Sequence, residues 1–290
     1  MSELAEWDIV TGVGITALGV AAGRAMETHR DGGLVSDPYA EAFVRAAATP
    51  VPMPTRLDAT DEREMPWTSM ADYMGVRSRF FDDYFAEVAR AGVDQVVLLA
   101  AGLDVRAYRL DWPDGTTVYE LDAPKVLSFK DDVLAQQGAA PRADRRVVSV
   151  DLREDWRGPL REKGFDPGRP SAWLAEGLLP FLPNAAKERL FRFVSELSAP
   201  GSRFEVEHID DVRGMLQEES AQRARDLFGV DIETLWPDDG PFAAAAWLAD
   251  HEWEVDVVRS SEVAERLGRT LDGPDHDPAR SSVFVTAVRL

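Results

Sequence analysis

Residues Gln95 to Asp122, QVVLLAAGLDVRAYRLDWPDGTTVYELD, decide the fold. The stretch opens with Gln95 to Leu99, rich in Val and Leu, a pattern that predicts a strand buried on both faces. Ala100, Ala101 and Gly102 follow, small enough for a ligand to lie against the backbone. A second short strand is predicted over Thr116 to Leu121, with acids at Glu120 and Asp122. Strand, small-residue turn, helix, strand and terminal acid make the first half of a nucleotide-binding α/β unit. The turn offers backbone N–H groups. An acid at the end of the second strand can accept hydrogen bonds from both hydroxyls of a ribose.

Working outward, the 290 residues suffice for one large α/β domain or a domain with a substantial cap. Thirty-two basic against 52 acidic residues leave a net charge of −20, which argues against nucleic acid as a partner. The chain has no cysteine, which excludes disulfide and thiolate chemistry and fits a cytosolic setting. Its four histidines, His29, His208, His251 and His276, are scattered, so no metal site is signalled. Ile9 to Gly23 is uncharged, but acids precede it and it is too short to span a bilayer. We read it as part of a buried helix from Trp7 to Met26.

A second helix is predicted to begin near Asp37–Pro38, with Asp37 as its cap. Thr49 to Pro66 reads as an exposed loop. Ser69 to Ala91 reads as a long helix, apolar at Tyr73, Phe81, Tyr84, Phe85 and Val88. Further strands are expected at 146–150, 171–175 and 202–208, and two late ones at 252–258 and 282–288. Helices are expected at 123–137, 154–163, 184–198, 210–229 and 260–267, with a loop over 272–280. The organisation is then a helical cap over 1–92 and a core over 93–290, carrying a lid at about 210–250, as one structural unit.

The phrases LLAAGLDVRAYRLDWPDGTTVYELDAPKVLSFK, VDLREDW, AWLAEGLLPFLP, LSAPGSRFEVE and SVFVTAVR, with GRAMET…SDPYA and YMGVRSRFFDDYF before them, cover nearly the whole chain. In this order they resemble the actinobacterial branch of the leucine carboxyl methyltransferase family, whose members use S-adenosyl-L-methionine. The resemblance implies a Rossmann-like seven-stranded class I methyltransferase sheet with a helical N-terminal cap. It implies that the methionine part of the cofactor passes Gly102, and that Asp122 takes the ribose diol, with Glu120 able to share or replace the role. Asp151 and the N–H of Leu152 would hold adenine. Arg24 and Arg77 are the cations of the two segments that the family folds over the cofactor, with Arg79 competing for the second role, and Glu176 would face the cofactor's ammonium. Ala100 departs from the pattern, since the family often has Gly there.

Methyl transfer from a sulfonium is an in-line displacement, so the enzyme mainly aligns its reactants and excludes water. A carboxylate acceptor needs no base. A hydroxyl needs one, and His208, after the fifth strand, is the nearest candidate. The acceptor, a small molecule or a peptide terminus, would be chosen by the cap and by a lid whose aromatics are Phe228, Trp236, Phe242 and Trp247. Two other functions share parts of the pattern. An NAD-dependent oxidoreductase shares the strand, turn and acid, but A-A-G-L-D-V lacks the third glycine of its fingerprint. A non-catalytic protein of the same fold would keep the cofactor residues.

Overall fold

The computed structural model describes residues 13–47, 49, 53–61, 65–209, 235–237, 239–271 and 281–290. The helix expected over 210–229, Phe228 and the 272–280 loop lie outside them, as do the first residues of the N-terminal helix.

Helix α1 (Val13–His29) and the short α2 (Ala40–Ala46) precede a 24-residue helix, α3 (Trp67–Arg90). Then β1 (Gln95–Leu99), a single turn α4 (Arg106–Arg109), β2 (Thr117–Asp122), α5 (Pro124–Gln136) and β3 (Asp144–Ser149) build one half of the sheet. The other half follows: α6 (Arg157–Glu162), β4 (Ala172–Ala175), α7 (Asn184–Glu196), β5 (Arg203–Ile209), α8 (Ala244–Ala249), β6 (Trp253–Arg259), α9 (Ser260–Arg266) and β7 (Ser282–Arg289). All seven expected strands are present, each within two residues of its predicted ends. Helix α1 continues past Met26 to His29, and α6 is shorter than the 154–163 expected. Asp37 does accept N–H bonds from Tyr39 and Ala40, both at 3.0 Å, but the helix starts only at Ala40.

The seven strands form one sheet in the order β3-β2-β1-β4-β5-β7-β6. The first five strands pair in parallel, and β7 inserts antiparallel between β5 and β6. β1 is buried along its whole length, as the unbroken apolar run requires. Side chains alternate across the sheet, so Val96 and Leu98 face one core while Val97 and Leu99 face the other. The first core lies under α1, α3, α5 and α9. There Phe284 of β7 stacks on Phe80 (4.6 Å) and meets Phe81 edge-on (5.2 Å). Burying one such ring contributes about 2–3 kcal/mol. The second core holds Trp156, Trp173, Phe191 and Phe204 under α6, α7 and α8.

The chain runs outward from β1 to β2 and β3, then returns to β4 on the other side. The crevice between β1 and β4, at the carboxyl ends of the strands, is where open α/β sheets bind ligands. It is bounded by the turn after β1, the end of β2 and the loop after β4.

Candidate functional site

The turn after β1 takes its shape from its backbone angles. Ala100 and Gly102 both have positive φ, +54° and +46°. For Gly102 this conformation is free; for Ala100 it is one that L-residues rarely adopt. A Cβ built on Gly102 would meet no protein atom closer than 3.8 Å, so the backbone angle rather than crowding by the protein calls for glycine. The Gly102 N–H donates to Asp122 Oδ2 at 2.6 Å, and the Ala123 N–H to Oδ1 at 2.6 Å. The turn and the acid therefore stand together, as the strand–turn–strand spacing anticipates. Burial raises the Asp122 carboxyl above its ordinary value, against the pull of those two N–H groups.

Glu120 lies on the same side of β2 as Asp122; basic side chains take its Oε2, while its buried Oε1 has no hydrogen-bond partner among the described residues. It is fully buried, and Lys130 Nζ (2.8 Å) and Arg145 Nη2 (2.7 Å) close on Oε2. This ties β2 to α5 and β3. Asp151, after β3, accepts the Arg153 N–H at 2.8 Å and pairs with the Arg153 guanidinium, which holds its carboxyl below the ordinary value. The helix that follows is preceded by Asp155, which accepts the Arg157 N–H, so Asp151 is not that helix's cap. The Leu152 N–H makes no hydrogen bond among the described residues, while its side chain packs against the second core.

The two cap arginines are both buried. Arg24 donates from Nε to Asp37 (2.8 Å) and from Nη2 to the Leu103 carbonyl (2.8 Å), pinning α1 to the turn beside Gly102. Arg77 is 6% exposed and lies against two carboxylates, Glu176 at 2.9 Å and Glu207 at 3.3 Å. Their charges keep its pKa raised against the cost of burial. Arg79, two residues on, points outward and pairs with Asp83 on its own helix. Of the two residues that the resemblance leaves as competitors, Arg77 is buried and Arg79 is exposed.

Sequence reasoning missed the rest of this polar cluster. Arg106, 2% exposed, bonds Asp82 of α3 (2.8 Å), Glu176 (2.7 Å) and Asp104. Glu207 of β5 accepts from the Tyr73 hydroxyl and from the Gly177 N–H at 2.6 Å. Gly177 has φ +63°, and a Cβ there would sit 2.9 Å from Arg77 Nη2. The alternation of Phe204, Glu205, Val206 and Glu207 reads as a strand with one solvated face. Here α3 covers the acidic face, a tertiary fact that no local pattern carries.

His208 faces the opposite side of the sheet from Glu207. It lines a groove of about 420 Å³ with Ala244, Val257, Arg259, Glu262 and Val285, away from Arg77. Of the lid aromatics, Trp236 stands edge-on to Phe181 (6.0 Å), in the segment after β4. Phe242 and Trp247 instead pack edge-on against Phe191 of α7, and Trp247 stacks on His251. The last part of the predicted lid thus belongs to the layer beneath the sheet.

The model of the leucine carboxyl methyltransferase family matches residues 17–195. A relative from Mycobacteroides abscessus is 50% identical over 275 residues, which span 92% of this chain and 88% of that protein. Another from Rhodococcus jostii is 46% identical over 290 residues, spanning 98% of each. Both are provisionally named S-adenosyl-L-methionine-dependent methyltransferases. Among solved structures, a provisionally named methyltransferase from Thermobifida fusca superposes with a TM-score of 0.52 at 18% identity, over 94% of each chain. A duf574 family protein from Streptomyces avermitilis gives 0.55 at 15% identity, over 94% of this chain and 97% of that one. At such identities the structures speak for the fold alone, whereas the sequence matches run almost from end to end. On these matches and the strand order that carries the site, the chain belongs to the leucine carboxyl methyltransferase family.

Proposed function

We propose that this chain transfers a methyl group from S-adenosyl-L-methionine to an oxygen, on a carboxylate or hydroxyl of a small molecule or a peptide terminus. The observation that carries the cofactor part of this reading is Arg77. It is a buried cation with five N–H groups, yet among the described residues its guanidinium makes one weak hydrogen bond, from Nη1 to Met74 Sδ at 3.8 Å. Its Nε is buried and without a hydrogen-bond partner, because Glu176 approaches it off the N–H direction. Buried donors of this kind are rarely left unmet. A ligand carboxylate supplies the acceptors, and the adjoining Glu176 supplies an anion for an ammonium, so an amino-acid zwitterion inserts without changing the local charge.

The other residues suit the remaining parts of the cofactor. Each oxygen of Asp122 has one N–H donor and keeps acceptor capacity for a ribose hydroxyl. The Leu152 N–H beside Asp151 offers the donor and acceptor that an adenine edge requires. The cofactor supplies an electrophilic methyl on a sulfonium; the protein orients it and excludes water. A carboxylate acceptor is already ionised at neutral pH. The oxidoreductase alternative is not favoured: the dinucleotide-binding sheet runs 3-2-1-4-5-6, without the inserted antiparallel strand seen here.

Calorimetry with S-adenosyl-L-methionine, S-adenosylhomocysteine and NAD tests the cofactor. The first two should bind and NAD should not; binding of NAD alone would sink the reading. Asp122→Ala should cost on the order of 2–3 kcal/mol of that affinity, since a charged acceptor is lost. Glu254→Ala, an exposed acid of β6, should cost nothing measurable. A labelled-methyl screen over carboxylic acids, phenols and peptide termini then defines the acceptor.

A further inference from the structure

Arg77 has two counter-ions where charge balance needs one, and they differ in how they are held. Glu176 is the looser: it lies in the loop after β4 and is partly exposed, and its second oxygen faces Arg106. Glu207 is 3% exposed and built in. One of its oxygens faces the Tyr73 hydroxyl, which also lies 2.6 Å from Ser282 Oγ. Tyrosine has one proton to give, so it donates to the carboxylate and accepts from the serine. The other oxygen takes the Gly177 N–H. One carboxylate thus joins α3, β5, β7 and the backbone immediately after Glu176.

We infer that Glu207 is a positioning residue for the amino-acid end of the cofactor, holding the Arg77 guanidinium in place when Glu176 turns from Arg77 to the incoming ammonium. This rests on assigning Arg77 and Glu176 to that end of the cofactor. With Glu176 alone as counter-ion, the exchange would leave Arg77 fixed only by its ligand. With Glu207 in place, Arg77 keeps one buried partner throughout, and the loop carrying Glu176 keeps its anchor at Gly177. A purely structural cross-link would look the same in the free protein, so the test must read the ligand.

S-adenosylhomocysteine and 5′-methylthioadenosine share adenine, ribose and sulfur, but only the first has the amino-acid end. Glu207→Gln keeps the shape and an acceptor for Gly177 while removing the charge. Its dissociation constant for S-adenosylhomocysteine should rise roughly tenfold or more, as for other buried charge pairs that lose a partner, with methylthioadenosine binding unchanged. Tyr73→Phe, which keeps the charge but frees the carboxylate, should show the same selectivity with a smaller loss, and it decides the matter if Glu207→Gln does not fold. Equal weakening of both ligands, or no weakening of either, overturns the role. Failure of the wild-type protein to bind S-adenosylhomocysteine instead defeats the cofactor assignment itself.

Discussion

Ala100 occupies backbone space that alanine avoids, with φ at +54°, at the point where β1 gives way to the turn over Asp122. Three terms decide what glycine would do there. Removing the left-handed strain is worth about 1–2 kcal/mol. The freer unfolded chain takes back about 0.4–1 kcal/mol. The methyl packs partly against the second core, so its loss takes back a further fraction of about 0.8 kcal/mol. The terms nearly cancel. Ala100→Gly should therefore leave stability within about 0.5 kcal/mol of the parent, whereas Ala100→Val, β-branched and still left-handed, should lose at least about 1 kcal/mol. Urea denaturation of the three proteins checks the ordering; a Val variant as stable as the parent would show that the turn relaxes to negative φ. Alanine is thus tolerated here because the strain is small beside the packing and hydrogen bonds that fix the turn.

Strand β5 shows the same tension at the scale of an element. Glu205 is fully buried, and Thr286 Oγ1 donates to Oε2 at 2.8 Å while Oε1 has no partner. Burial pushes this carboxyl well above its ordinary value, and the Thr286 bond only partly opposes the shift. A group whose folded pKa is raised contributes stability that is full below its unfolded pKa and is lost as pH rises through the folded one. Glu205→Gln should therefore be more stable than the parent at neutral and alkaline pH, with a flatter stability profile across that range. Denaturation at several pH values checks it, and a variant that is weaker throughout would mean the acid is held ionised by contacts that Gln cannot replace. The same strand marks the limit of what sequence makes legible. The strands themselves announce their existence through apolar runs and alternation, and Gly102, Asp122 and Asp151 through their places at strand ends. Glu205 and Glu207 announce a solvated face, because periodicity records alternation and not what covers it. Arg106 is hidden for a related reason: Asp104 is local to it, but its other partners, Asp82 of α3 and Glu176 in the loop after β4, lie far away in the sequence, so no spacing in the chain contains the cluster.

For the whole molecule, the question is whether residues 1–92 behave as a separate cap. Their described helices are fastened to the core by apolar packing and by buried polar contacts together. Arg24 reaches the Leu103 carbonyl at 2.8 Å, Glu27 pairs with Arg269 at 2.9 Å, and the Tyr84 hydroxyl donates to the Trp173 carbonyl at 3.1 Å. Asp82 meets Arg106 at 2.8 Å. Without α1 and α3, the sheet face bearing Leu98, Leu174 and Phe284 would keep only α5 and α9 as cover, and Arg106 would lose a carboxylate while still buried beside others. Removing one partner of a buried pair costs about 3–5 kcal/mol, a large part of the roughly 5–15 kcal/mol that holds a domain folded. A chain of this length can unfold in stages, so cooperativity is a real claim here. We expect far-UV circular dichroism, which weights the helices, and tryptophan fluorescence, which sums eight residues including Trp156 and Trp173 beneath the opposite face, to report one coincident transition. A protein starting at residue 93 should show no cooperative melt at all. Two separated transitions, or a folded truncated core, would establish the cap as an independent unit and remove the reason for treating its arginines as fixed parts of the site.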